Sequence, residues 1–190
     1  MVTISTRLGK VRGTQRARVH LFLGLRYGEP PRRFLSPVAS GSWRGTFDAT
    51  SSPNRALQHK TEGTLGAPIL GEMSEDCLFL NIATPDNTGR LRPVLFWIHG
   101  GGFINGSGNE LDGTVLAEQG DVVVVAVNYR LGSFGLLDLS SHGPEYKGSS
   151  SNSIRDLVLA MQWVRDNIED YGGDPENAVS YTHLTLPTKA

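Results

Sequence analysis

Six apolar residues in a row, Val122 to Val127 (VVVVAV), constrain this chain more than any other stretch. β-Branched valines favour an extended backbone. The run lacks polar alternation, so both faces of the strand must be covered, as they are inside a parallel sheet. It is far too short to cross a bilayer, which takes about 20 apolar residues in a helix. The flanking segments keep the same rhythm. Cys77 to Ala83 (CLFLNIA) and Val94 to Ile98 (VLFWI) read as strands, and Asp112 to Gln119 as a short helix closed by Gly120. Ser153 to Tyr171 reads as a long helix. There Ile154, Leu157, Val158, Met161, Val164, Ile168 and Tyr171 recur at three- and four-residue spacing and predict one buried apolar stripe. Arg155, Gln162, Arg165, Asp166 and Glu169 take the other side. Ser153 with Asp156 predicts a capping box, and Gly172-Gly173 stop the helix. Strand, helix, strand, helix is the α/β pattern. It predicts that Val94 to Ile98 and Val122 to Val127 lie side by side and parallel, with the long helix packed on them.

The first half is β and loop. Thr3 to Ser5, Gly9 to Thr14 and Val19 to Tyr27 read as short strands, and Glu29-Pro30-Pro31-Arg32-Arg33 breaks regular structure. Residues 36–73, rich in Ser, Gly, Pro, Thr and Asn, read as a long surface excursion with a short strand around Trp43 to Ala49.

The chemistry sits where an apolar strand runs into glycines: Val94 to Phe103 reads VLFWIHGGGF. Consecutive glycines let the chain turn sharply and leave their N–H groups approachable. Two such donors can stabilise the oxyanion of a tetrahedral intermediate, and His-Gly-Gly-Gly after a sheet strand is half of that arrangement in lipases and esterases. A phosphate loop would need Lys-Ser/Thr or G-x-G-x-x-G, and neither follows. With Lys+Arg at 18 and Asp+Glu at 19, no basic field exists to attract nucleic acid. The lone Cys77 cannot form an internal disulfide and is expected inside as a small apolar residue. Met1 to Lys10 lacks the pattern of a signal peptide, so a cytoplasmic location without membrane association is expected.

Several ordered blocks together resemble the type B carboxylesterases, the group that includes the cholinesterases and bacterial para-nitrobenzyl esterases. They are Ser74-Glu75-Asp76-Cys77-Leu78-Phe79-Leu80-Asn81, Trp97 to Phe103, Asn128-Tyr129-Arg130-Leu131-Gly132 with Phe134-Gly135, Trp163 to Ile168, and Gly172 to Asn177. Gly24 to Pro31 and Arg33-Phe34 are similar to the family's early elements. The likeness covers residues 3–179 and implies an incomplete α/β-hydrolase fold. Its known part would be the N-terminal strands and first helices of the central, mostly parallel sheet. It implies an ester hydrolase acting on a small-molecule ester, with no metal or cofactor. It also implies that Gly101 and Gly102 supply two oxyanion-hole donors, that Arg33 pairs with Glu75 in a buried salt bridge, and that the strand after Asn177 inserts beside Val122 to Val127.

The chain departs from the family in two places. No Gly-x-Ser-x-Gly occurs in the sequence, so the nucleophile, acid and base are expected beyond these residues. Residues 1–179 then form the N-terminal portion of one domain, and residues 180–190 read as a non-native tail. His183 falls outside the family's Ser, acid, His order, and His20, His59 and His142 read as surface histidines. Where much of the family carries a cysteine to pair with Cys77, Asn54 to Gln58 has none, which fits a reducing compartment. A non-catalytic adhesion protein on the same fold is the alternative that the sequence leaves open. Oligomeric state is not legible.

Overall fold

The computed structural model describes residues 1–30, 32–59, 70–86 and 89–182. The chain opens with β1 (Val2–Thr6), β2 (Gly9–Arg16) and β3 (Val19–Arg26). Short strands follow: β4 (Thr46–Asp48), β5 (Arg55–Ala56) and β6 (Met73–Ser74). Then come β7 (Phe79–Pro85), β8 (Arg92–Ile98), α1 (Thr114–Gly120) and β9 (Val123–Val127). Last are α2 (Gly132–Leu136), α3 (Asn152–Asn167) and β10 (Gly173–Thr182).

The main sheet runs β1-β2-β3-β7-β9-β8-β10, with β4 beside β2. From β1 to β9 each neighbour is antiparallel; β9, β8 and β10 are parallel. The described sheet is therefore mixed, and its parallel part is the half that carries the glycine loop. The expected pair is present: Val94 lies opposite Val123 and Ile98 opposite Val127. All five residues of β9 are buried between β7 and β8. The missing polar alternation reflects this central place. Val123, Val125 and Val127 join the core with Val94, Phe96 and Ile98, while Val124 faces the other way with Leu21, Ala83 and Ala117.

The two crossover helices lie on opposite faces of the sheet. Ala117 of α1, which follows β8, packs in one cluster, and Leu157, Ala160, Trp163 and Val164 of α3, which follows β9, pack in the other. The carboxyl ends of β8 and β9 therefore flank a topological switch point, where open α/β sheets place their ligands.

Three expectations are corrected. The strand after Asn177 pairs with β8 instead of β9, Ala178 opposite Val94 and Thr182 opposite Ile98. β10 is thus the outermost described strand on that side, and β9 is not an edge. Second, the apolar stripe of α3 is divided. Leu157, Val164 and Ile168 are buried, but Ile154, Val158 and Met161 are 47%, 46% and 41% exposed. The buried face contains Asn152, Ser153 and Asp156 instead. Third, Ser153 and Asp156 make no capping box. The helix begins at Asn152, and both side chains serve Arg130, which donates to the Asp156 carboxylate through Nε at 2.8 Å and Nη2 at 2.7 Å. The Arg130 backbone N–H adds a bond to Asp156 at 3.0 Å, and the Ser153 hydroxyl donates to the Arg130 carbonyl at 2.6 Å. A buried guanidinium needs its counter-charge at hand, and that need fixes the register of the helix.

Among the described residues no helix is long and apolar enough to cross a membrane.

Candidate functional site

At the carboxyl end of β8 the chain leaves the sheet through His99, which is fully buried. The His99 ring stacks on Tyr129 with centroids 4.4 Å apart, and the Tyr129 hydroxyl donates to the His99 carbonyl at 3.0 Å. Burial pushes the imidazole pKa down to about 4, so the ring is neutral near pH 7.

The glycines then make a left-handed turn. Gly101 has φ +106°, Gly102 +61° and Phe103 +62°. A tight turn closes as the Ile104 N–H donates to the Gly101 carbonyl at 3.0 Å. A Cβ on Gly101 would sit 2.1 Å from the Asn105 carbonyl oxygen, so only glycine fits there. Gly102 is exposed and faces open space. Phe103 holds its unfavourable backbone because its ring packs edge-on against Tyr129 and its carbonyl accepts the Gly132 N–H at 2.7 Å. Among the described residues, no acceptor takes the N–H of Gly101 or Gly102. The two expected donors thus sit side by side, uncommitted, on a turn braced by the Asn128 to Gly132 block.

The far end of the loop is anchored by polar residues that the sequence reading missed. Gln58 brackets Gly106, accepting its N–H at 2.8 Å and donating to its carbonyl at 2.9 Å. The Asn128 carboxamide oxygen accepts from the Ser107 hydroxyl at 2.9 Å and the Gly108 N–H at 2.8 Å. Asn81 donates to Asn109 at 3.0 Å and accepts the Gly24 N–H at 2.9 Å, where β3 carries a register shift. The signal was present: Asn81 interrupts an apolar strand, and a buried amide in such a place must have partners.

Arg33 and Glu75 do pair, with Arg33 Nε 3.0 Å from Oε2 and 3.1 Å from Oε1. The hydrogen bonds from Arg33 hold the Glu75 carboxyl below the usual carboxylate range. The expected burial is wrong, since the side chains are 60% and 30% exposed. The pair covers a small crevice that also involves Cys77, Arg130, Leu131 and Phe134 and includes no residue of the glycine turn. Cys77 is buried and free, as expected. A larger cleft of about 230 Å³, lined by Leu21, Asn81, Asn109, Asp112 and Val124, likewise omits the turn. Of the histidines, His59 and His142 are exposed, His20 is partly buried against Asp86 at 3.0 Å, and His183 lies outside the described residues.

The profile described as "Carboxylesterase family" matches residues 1–180. The chain belongs to the carboxylesterase family. It is 41% identical over 183 residues to the para-nitrobenzyl esterase of Bacillus subtilis, covering 94% of this chain and 37% of that protein. To human carboxylesterase 3 it is 38% identical, over 90% of this chain and 32% of the relative. A solved para-nitrobenzyl esterase superposes with a TM-score of 0.89 at 40% identity, and the Geobacillus stearothermophilus carboxylesterase at pH 6.8 with 0.85 at 41%. These cover 96% and 95% of this chain and 38% of each structure. The chain therefore spans well under half the length of the relatives it matches, and its fold is the corresponding part of an α/β-hydrolase.

Proposed function

We propose that this chain supplies the oxyanion-binding half of a serine carboxylic ester hydrolase acting on small-molecule esters. The nucleophile would be contributed by polypeptide beyond these 190 residues. The observation that carries the reading is the glycine turn: two adjacent uncommitted N–H groups, held at the carboxyl end of β8 beside the switch point. In the complete enzyme a serine hydroxyl attacks the ester carbonyl, with a histidine as base and then acid and a carboxylate orienting it. The Gly101 and Gly102 N–H groups, with the N–H after the serine, then hold the oxyanion while an acyl-enzyme forms and is hydrolysed. On this reading residues 1–179 would be the N-terminal portion of that domain, and residues 180–190, of which 180–182 continue β10 beside β8, would be a tail foreign to it.

The test is Gly101→Ala in the full-length esterase polypeptide, assayed on para-nitrophenyl butyrate. A methyl pushed against the Asn105 carbonyl displaces the donor, so kcat is expected to fall roughly 100- to 1,000-fold with little change in KM. An unchanged kcat would refute the oxyanion role. Inactivity of the unaltered full-length polypeptide would favour a binding protein on the same fold.

A further inference from the structure

The buried His99 touches the oxyanion turn through one atom. Its Nδ1 lies 2.9 Å from the carbonyl oxygen of Gly100. A carbonyl oxygen only accepts, so the contact requires the ring proton on Nδ1. The other nitrogen, Nε2, is buried and has no partner among the described residues. This tautomer suits the site, since a proton on Nε2 would be stranded without an acceptor.

The surroundings are built to keep this bond. Tyr129 holds one face of the ring by stacking. Gly106, at φ +111°, stands beside the bond itself: a Cβ there would lie 2.3 Å from Nδ1 and 2.6 Å from the Gly100 oxygen. Any side chain at 106 would occupy the space the hydrogen bond needs, and the two Gln58 bonds fix Gly106 in place.

The consequence follows from peptide geometry. The Gly100 carbonyl and the Gly101 N–H belong to one planar, trans unit, so fixing the oxygen fixes the direction of the amide. Glycine backbones are otherwise the least constrained in a chain. We propose that His99 is a positioning residue for the oxyanion site, its Nδ1–H holding the Gly100 carbonyl so that the Gly101 N–H stays aimed at the reacting carbonyl. This rests on the reading of Gly101 as an oxyanion donor.

The test uses the full-length esterase polypeptide with His99→Leu and His99→Asn. Leu and Asn have nearly the same shape, but only Asn presents an N–H close to where Nδ1 stood. His99→Leu is expected to lower kcat on para-nitrophenyl butyrate roughly 10- to 100-fold with KM nearly unchanged, because disordering a donor costs less than removing it. His99→Asn is expected to recover most of that loss. A purely structural role predicts equal losses in both variants, and that result would overturn the proposal. The wild-type ring gives a readout independent of folding in the variants: a 15N–1H spectrum of labelled histidine should show His99 protonated on Nδ1 and bare on Nε2. The opposite tautomer would overturn the proposal outright. If Gly101→Ala lowers kcat while His99→Leu does not, the positioning role fails and the oxyanion reading stands. If Gly101→Ala has no effect either, the oxyanion reading has failed.

Discussion

His99 also ties the stability of the chain to pH. In the unfolded chain the imidazole titrates near 6.5, about the ordinary histidine value. In the folded chain burial lowers the pKa to about 4. Between these values the unfolded state binds the extra proton, so stability falls as pH drops from about 6.5 toward 4 and is insensitive to His99 above that range. The full shift corresponds to about 3 kcal/mol. Urea melts of the full-length polypeptide at pH 7, 5.5 and 4.5 should show a loss that His99→Asn lacks; parallel behaviour of the two proteins would contradict it. Cys77 makes the complementary case. Burial pushes its thiol far above the usual range, so a thiol reagent should react only as fast as the fold opens. Rapid labelling of native protein would show the residue accessible. Both positions were readable in part from the sequence. The lone cysteine was expected inside because free cysteine behaves as a small apolar residue, and His99 stood at the head of glycines expected in a turn because they let the chain bend sharply. Gln58, Ser107 and Asn128 were not readable as anchors, because their partners lie up to 74 residues away and local spacing carries no trace of such bonds.

At the scale of elements, α3 shows where periodicity succeeds and where it misleads. Three- and four-residue spacing correctly announced a helix, which runs as α3 to Asn167 and tightens into a 3-10 turn over Ile168–Tyr171 before Gly172. The spacing placed Leu157, Val164, Ile168 and Tyr171 rightly on the buried face and Ile154, Val158 and Met161 wrongly, because hydrophobic patterning does not count charges. Arg130 is buried at the end of β9's connection, and its carboxylate partner must then face inward from the helix above. That turns Asp156 into the core and moves Ile154 and Val158 outward. Replacing Asp156 with Ala should therefore cost about 3–5 kcal/mol, since the guanidinium is left buried without its counter-charge. Glu75→Gln should leave the urea midpoint unchanged within error, because the Arg33–Glu75 pair is open to solvent and screened. The sequence reading expected a buried Arg33–Glu75 pair and drew no pair between Arg130 and Asp156. The resemblance drew attention to Arg33 and Glu75, while Arg130 and Asp156 looked like a motif residue and a cap. Equal losses in the two variants would show that exposure does not decide the matter here.

For the molecule as a whole, the parallel β8–β9 pair was the legible part, because VVVVAV and VLFWI are short, rich in β-branched or aromatic residues and without polar alternation, as strands covered on both faces are. The order of strands was not. Whether the chain after Asn177 returns beside β9 or beside β8 depends on the path of α3 across the sheet, and both placements satisfy the same apolar pattern. The observed order places β10 outside β8, with Val179 and Tyr181 exposed. The side of β10 away from β8 pairs with no strand among the described residues, and such an edge is a template for pairing with other chains. The exposed stripe of Ile154, Val158 and Met161 on α3 adds apolar surface. We therefore expect the 190-residue chain to self-associate when expressed alone, and sedimentation should show species larger than a monomer. Its chemistry should be equally incomplete. On the function proposed above, the glycine turn offers oxyanion donors while serine and histidine come from other parts of the polypeptide, so residues 1–190 by themselves would lack the covalent route through an acyl-enzyme. Hydrolysis of para-nitrophenyl butyrate by residues 1–190 should match buffer, and extension in frame through the rest of an esterase domain should restore turnover. A monomeric, cooperatively unfolding and active 190-residue chain would overturn both the edge argument and the placement of the nucleophile beyond these residues.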